Sequence, residues 1–388
     1  MKFTKVFLVA VLVCFLFQLA LGQKTKKRKL YPGTYKTTAK IFLKDEYRMY
    51  DSAIVILNEA VSFYPDDADL HFLLGLAYYH KNRAKEMGEH FALAESLEIK
   101  SKFLEEIQEM RQEKWLEVFN QGAKAFNEQN LDSALEKFTA CTIINPRDYR
   151  GFMNAGYAHS LKGENAEAIS YLEKGLELAP DTLDILRIYA AALYNAGNIE
   201  KALEVYLKVV DKDPKDVNTL NNIVSIYGIL KDFENALQFS QKLIDVDSTF
   251  EDAYFNMGTI YLQQIQDVNF VLDSLKDTTG AYLVDEKCKA KIEELEKKRG
   301  GLLNKAESTL GKAVKLDSLD LEARMFLAKI YMEQEKLDEA LGDLEFIVQN
   351  DSTNCEALTH LAGVYAKKGM GDEAKETWQK AQDCVEEK

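Results

Sequence analysis

The sequence predicts an all-α fold, an α-solenoid of helix-turn-helix hairpins, and three observations predict it. At 388 residues the chain exceeds what a single compact core usually holds, so several domains or one elongated array are expected. Prolines number only five, and four of them (Pro65, Pro146, Pro180 and Pro214) stand at one recurring point. A pattern of small and apolar residues returns every 34 residues, the sign of a repeat architecture.

The second half of each repeat carries residues spaced 4, 3 and 5 apart. Ala134, Phe138, Cys141 and Pro146 set the pattern. Ala168, Leu172, Gly175 and Pro180 follow, then Ala202, Tyr206, Val209 and Pro214. Ala53, Leu57, Ala60 and Pro65 obey it upstream, and Ala306, Leu310, Ala313 and Ser318 downstream. The first half has its own signature at positions 7, 8 and 11, as in Leu74-Gly75-Tyr78, Met257-Gly258-Tyr261 and Leu361-Ala362-Tyr365. Such apolar, small and aromatic residues share one helical face; the small one lets a second helix approach. Glycine at position 15 (Gly163, Gly197, Gly369) ends the first helix. Late repeats replace the position-32 proline with Ser248, Ser318 and Ser352, each after an aspartate that serves the turn instead.

These residues resemble the tetratricopeptide repeat (TPR) family. The resemblance covers nearly everything after residue 34 and implies a right-handed superhelical α-solenoid of TPR hairpins. About nine units are expected over 34–388, starting near Thr34, Ala68, Trp115, Tyr149, Leu183, Val217, Glu251, Leu321 and Cys355. The first is divergent, with Lys40 and Lys44 where apolar and aromatic residues belong. Two stretches break the period. Residues 102–114 are additional and keep helical spacing through Phe103, Ile107 and Met110, which predicts a long helix running into the third unit. In the seventh unit the first helix is expected to end near Gln264. An inserted loop-helix then follows over about 265–300, with a turn at Asp277 to Gly280, an apolar stripe of Val284, Cys288, Ile292 and Leu295, and a close at Gly300-Gly301.

The N-terminus reads as a targeting segment. Lys2 and Lys5 precede an apolar run, Val6 to Leu21, and Ala20-Leu21-Gly22 offers small residues for a cut before Gln23. That is the layout of a secretory signal peptide over 1–22, followed by a basic linker over 23–33. Five basic residues directly after the cut resist export and would favour a cytoplasmic C-terminal side if the segment stayed uncleaved. The expected location is therefore extracytoplasmic, periplasmic or secreted, with a membrane-anchored chain as the alternative. Cys14 follows Leu12-Val13, a poor match to a lipoprotein signal.

Formal charge is −14, and it becomes −21 once the basic residues through Lys29 are set aside. An acidic body repels phosphate backbones, so no nucleic acid is expected as a partner. The exception is Lys24 to Lys29, suited to contact with an anionic membrane.

Stacked hairpins line a concave groove with their first helices, and such grooves take peptides or partner helices. In the family, positions 2, 5, 6, 9, 12 and 13 face it. Position 6 is Asn120, Asn154, Asn222 and Asn256, interrupted by Ile188. Each amide offers a donor and an acceptor, so a row of them would hold an extended peptide backbone; the alternative is plain repeat consensus, since Asn is common at that position. Phe119, Phe126, Tyr157, Tyr194, Phe255 and Phe326, with Met153, Met325 and Met332, are the apolar groove candidates. The alternative for each is burial between repeats. A protein or peptide partner is expected, and the composition leaves oligomeric state open. The rival readings are a membrane-anchored envelope assembly factor and an accessory subunit of an envelope enzyme or transporter.

Chemistry-bearing motifs are missing. Five scattered histidines form no metal-spaced set, no phosphate loop or nucleophile elbow is present, and neither an enzyme nor a cofactor is expected. His159 holds a core aromatic position. Cys141 reads as a packed thiol. Cys355 opens the first helix of the last unit and Cys384 lies near the end of its second. An antiparallel hairpin brings those ends together, so they form either a disulfide or two unrelated thiols.

Overall fold

The computed structural model describes residues 29–277 and 286–386. The signal segment, Lys24 to Arg28 and the turn from Thr278 to Gly280 with Val284 lie outside the described residues. Eighteen α-helices and no strand occur among the described residues. They pair as α1 (Pro32–Phe42) with α2 (Tyr50–Phe63), α3 (Ala68–His80) with α4 (Ala84–Ser96), α5 (Leu104–Asn127) with α6 (Leu131–Ile144), and α7 (Tyr149–Leu161) with α8 (Asn165–Leu178). Next come α9 (Leu183–Asn195) with α10 (Ile199–Lys212), α11 (Val217–Ile229) with α12 (Phe233–Val246), and α13 (Glu251–Asp277) with α14 (Glu286–Leu316). The last two pairs are α15 (Leu321–Glu333) with α16 (Leu337–Asn350), and α17 (Cys355–Lys367) with α18 (Gly371–Glu386). The fold is an all-α solenoid of TPR hairpins. The chain divides into two compact units, residues 1–179 and 180–388. The first holds α1 to α8 and the second α9 to α18.

Local chemistry sets the helix ends. Asp67, Asn130, Asp148, Asp216, Asp232, Asp320 and Asn354 precede first or second helices and accept hydrogen bonds from backbone N–H groups of the first turn. Position 15 adopts a left-handed backbone whether or not it is glycine. Gly163, Gly197 and Gly369 do so at φ 77°, 81° and 78°, and Asn82, Gln129, Lys231 and Glu335 do so at 56° to 60°. Asp247, Asp317 and Asp351 accept from the backbone N–H of Thr249, Leu319 and Thr353, closing the turns where serine replaces proline.

Within a hairpin, position 8 meets position 24. A methyl group added at Gly75 would overlap the Phe91 ring; at Gly156 it would stand 2.6 Å from Leu172 Cγ, and at Gly122 2.8 Å from Phe138 Cε1. Where position 8 is larger, as at Val224, position 24 shrinks to the buried Ser240. The summed volume is held, as close packing requires.

The additional residues before the third hairpin lengthen α5. Ile107 and Met110 bury there, and Arg111 is carried inward with them. Its guanidinium donates to the carbonyls of Ile144 and Gly88 and to Glu95. A cation thus caps the end of α6 and ties it to α4.

Two expectations need correction. The first repeat starts at Pro32, two residues earlier than Thr34, with Tyr35, Ala39 and Phe42 buried. The small and aromatic places are filled in that register, and Lys40 and Lys44 turn outward. The insertion in the seventh repeat is not a separate loop and helix. It extends both helices: α13 continues through Gln264 to Asp277, and α14 runs unbroken through Gly300-Gly301. Ile265, Val268 and Leu272 on one arm and Ile292 and Leu295 on the other belong to one buried cluster. That seam makes continuing the helices better than ending them, and the two glycines are tolerated inside α14. Cys288 is half-buried on the same stripe.

Candidate binding surface

The groove candidates fall on first helices, six of them in the first unit's α5 and α7. Phe126 on α5 and Tyr157 on α7 lie with ring centroids 5.5 Å apart, joining consecutive repeats. Tyr157 keeps 37% of its surface exposed and Phe126 is half-buried, so the pair presents an aromatic edge to solvent. Phe119 is different: it stacks on Trp115 at 4.6 Å and approaches Phe138 at 5.5 Å, which draws it into the packing between helices. Asn120 is exposed. Asn154 turns its amide back on its own helix and donates to the Arg150 carbonyl at 2.8 Å. Arg150 forks onto Asp148 and lies 4.4 Å over the Trp115 ring, and the Asp148 hydrogen bond raises its pKa.

The second unit carries the denser polar arrangement. Asn256 Nδ2 on α13 donates to Asn221 Oδ1 on α11 at 2.7 Å. Asn222 is exposed and donates to the Tyr206 hydroxyl at 3.1 Å, and burial pushes that hydroxyl up to about 12. Tyr194 on α9 is half-buried. Phe255 and Phe326 repeat the aromatic pairing at 5.9 Å, and Lys329 sits 5.8 Å from the Phe326 ring while pairing with Glu356 at 2.6 Å.

Of the four asparagines, Asn256 donates a hydrogen bond to another first helix. The partner is Asn221, at position 5, a position that faces the groove in the family but was not singled out by the row of position-6 asparagines. Among the methionines, Met325 is buried in the cluster of the last two hairpins and does not line a groove. Met153 and Met332 are half-buried.

The remaining chemistry-bearing residues serve packing. His159 stacks on Tyr171 at 5.2 Å and bonds Glu164 at 2.6 Å. Burial pushes the Cys141 thiol up to about 12, which leaves it un-nucleophilic. His71 and His90 face each other with Nδ1 atoms 3.0 Å apart, and His71 Nε2 lies 2.8 Å from the Pro65 carbonyl. Among the described residues no group of three His, Cys, Asp or Glu could hold a metal ion. No described helix is long and apolar enough to cross a membrane. Cys355 and Cys384 form a disulfide across the last hairpin, their Cα atoms 5.6 Å apart.

Tetratricopeptide repeat models match residues 161–221, 217–250 and 297–354. The TPR repeat-containing protein MJ0940 of Methanocaldococcus jannaschii is 28% identical over 104 residues, 27% of this chain and 32% of that protein. The human mitochondrial import receptor subunit TOM70 is 27% identical over 146 residues, 34% of this chain and 23% of that protein. The chain thus spans about a third or less of the length of these relatives. A crystal structure of a tetratricopeptide repeat protein from Parabacteroides merdae aligns at a TM-score of 0.46 and 16% identity, covering 70% of this chain and 93% of that one. The three model matches show that this chain carries tetratricopeptide repeats over residues 161–250 and 297–354.

Proposed function

We propose that this protein is a non-catalytic scaffold that binds a protein or peptide segment on the first-helix faces of its repeats, outside the cytoplasm. The observation that carries the reading is the unspent surface on those helices. Tyr157 with Phe126, and Phe255 with Phe326, leave aromatic area open beside amides that keep free donors and acceptors. Rigid aromatics next to adaptable amides suit an extended peptide, whose backbone needs hydrogen bonds and whose side chains need apolar pockets. The relatives are consistent with this, since TOM70 is named as an import receptor subunit. The Cys355–Cys384 bond favours export, because disulfides persist in oxidising compartments.

The test is site-specific photo-crosslinking in a host cell. A photoreactive residue at Tyr157, Tyr194 or Phe255 gives a discrete protein adduct, and one at Lys174 or Lys208 on second helices gives none. Equal adducts from both sets overturn the groove reading. The adduct's fractionation with extracytoplasmic proteins supports export. An intact Met1 in the membrane fraction supports the anchored assembly factor instead.

A further inference from the structure

The first-helix face of the second unit has two unlike edges. Asn256 with Asn221, and Phe326 with Phe255, pair position 6 with position 5, so consecutive first helices run side by side in one direction. Their starts make one edge of the shared face and their ends the other. At the starts, position 2 is Asp184, Asn218, Asp252, Glu322 and Glu356, all exposed. The first unit has no such row, since Asp69 stands there among Gly33, Leu116 and Arg150. Arg187 and Lys329, the cations at positions 5 and 9, are spent on Asp184, Asp213 and Asp216 and on Glu356. Asp252 and Glu322 form no ion pair among the described residues. The field beside them is negative: burial, with Asp320, Asp252 and Asp317 close by, raises Glu251 to about 7.

The opposite edge is apolar. Ile229 ends α11 and Leu230 follows it, 56% and 40% exposed. Lys231, next in the chain, pairs with Asp267 of α13 at 3.6 Å. Phe270 stands one turn beyond Asp267 and is 78% exposed. Position 2 to position 13 is about 16 Å along a first helix. On α13 the stripe runs further: Phe270 comes 18 residues after Asp252, about five whole turns and 27 Å. The projection of α13 therefore widens the apolar edge.

Taking the groove reading above as given, we infer that the second unit binds a basic amphipathic α-helix of a partner protein, its cations toward Asp252 and Glu322 and its apolar side against Ile229, Leu230 and Phe270. Acid on one edge and apolar surface on the other match a segment with cations along one side and apolar residues along the other. Width decides the conformation. The floor of amides and aromatics suits an extended chain, but such a chain is only about 5 Å across and reaches neither edge. A helix is about 10–12 Å across, and its side chains reach both. Spacing agrees as well. Packed helices lie about 8–10 Å apart, and residues i and i+7 of one helix are about 10.5 Å apart. A lysine every two turns thus meets Asp252 and then Glu322 on the next first helix.

The test is fluorescence anisotropy of the full-length chain with labelled peptides about 18 residues long, five turns of helix. The probe is leucine and lysine at helical spacing. One control puts glutamate in place of lysine, and the other scrambles the probe so that no apolar face forms. The probe is expected to bind at least about tenfold more tightly than either control, and less tightly in ~0.5 M salt. Asp252→Asn/Glu322→Gln weakens it about fivefold, and Phe270→Ser about tenfold. These side chains are exposed, so the fold survives their loss. Val55→Ser/Glu177→Gln, on second helices of the first unit, leaves binding unchanged. Controls that bind as the probe does, or edge variants that bind as the parent does, overturn the assignment. Should Phe255→Ala weaken binding where the edge variants do not, the assignment falls and the groove reading stands. A probe that does not bind at all also overturns it, and the adduct from Phe255 then decides the groove reading by itself.

Discussion

Asn256 donates to Asn221 across 2.7 Å, from position 6 of one repeat to position 5 of the repeat before it. Phe326 and Phe255 stand in the same relation, also position 6 to position 5, with rings 5.9 Å apart. One geometric slot between consecutive first helices is thus filled by amides in one place and by aromatics in another. A double-mutant cycle on Asn221→Ala and Asn256→Ala is expected to show a coupling of about 0.5–1 kcal/mol in unfolding free energy. Each single variant also weakens the adduct formed from Phe255. Strict additivity would remove the slot from the binding surface.

Acid should loosen the first unit. His90 is held down at about 4, by burial and then by His71, against an ordinary 6.5. Between those values the unfolded chain takes up a proton that the folded chain refuses. The contribution is therefore full above pH 6.5 and is lost as pH falls to 4. It amounts to about 1 kcal/mol, well below the full shift because the ring keeps contact with water. His90→Gln should flatten this part of a plot of melting temperature against pH, and an unchanged slope would assign the acid sensitivity elsewhere.

The second unit should respond to alkali instead. Glu251 is raised to about 7 by burial and by Asp320, Asp252 and Asp317, and its Oε1 is buried without a hydrogen-bond partner. Here the folded chain keeps a proton that the unfolded chain loses near 4.5, so stability is full below 4.5 and declines as pH rises through 7. Glu251→Gln should raise the unfolding free energy at pH 8 by about 0.5 kcal/mol and change little at pH 4. A destabilised Gln variant at pH 8 would show that the carboxylate is satisfied.

Two glycine substitutions should act in opposite directions. Gly75→Ala drives a methyl into the Phe91 ring and costs about 1–3 kcal/mol. Gly301→Ala meets nothing within 4 Å in the interior of α14 and gains about 0.5–1 kcal/mol. Urea unfolding measures both.

Removing the disulfide should free one end only. Cys355 and Cys384 are 29 residues apart, a loop for which cross-linking is worth about 3–4 kcal/mol. Cys384→Ser should speed hydrogen exchange in α17 and α18 and leave α9 to α12 unchanged. A uniform rise across the second unit would mean that the hairpins unfold together.

Much of this was legible in the sequence because a repeat makes each residue testify several times. Recurrent small residues at position 8 named the close-approach points, and glycine at position 15 named the end of the first helix. The first repeat misled because Lys40 and Lys44 were placed two residues out of register, where α1 turns its exposed face. The insertion misled because Gly300-Gly301 reads as a break, yet Ile265, Val268, Leu272, Ile292 and Leu295 supply a seam that holds both helices straight through. The position-5 partner of Asn256 was hidden for a different reason. Periodicity shows which residues are equivalent, and it does not show which equivalent positions meet across neighbours.

The long hairpin has a further meaning for how this chain can change. Gly258 meets Leu310 although they lie 52 residues apart, against 16 for Gly75 and Phe91. Relative to α3 and α4, α13 and α14 are 14 and 18 residues longer, about four and five complete turns, so the base of the hairpin keeps its facing. Gains or losses of whole turns, shared between the arms, would alter only the reach of the projection. Other lengths would rotate Leu310 away from its glycine. Natural variation in this arm is therefore expected to come in steps, which makes it a segment whose size can evolve while the repeats around it stand still.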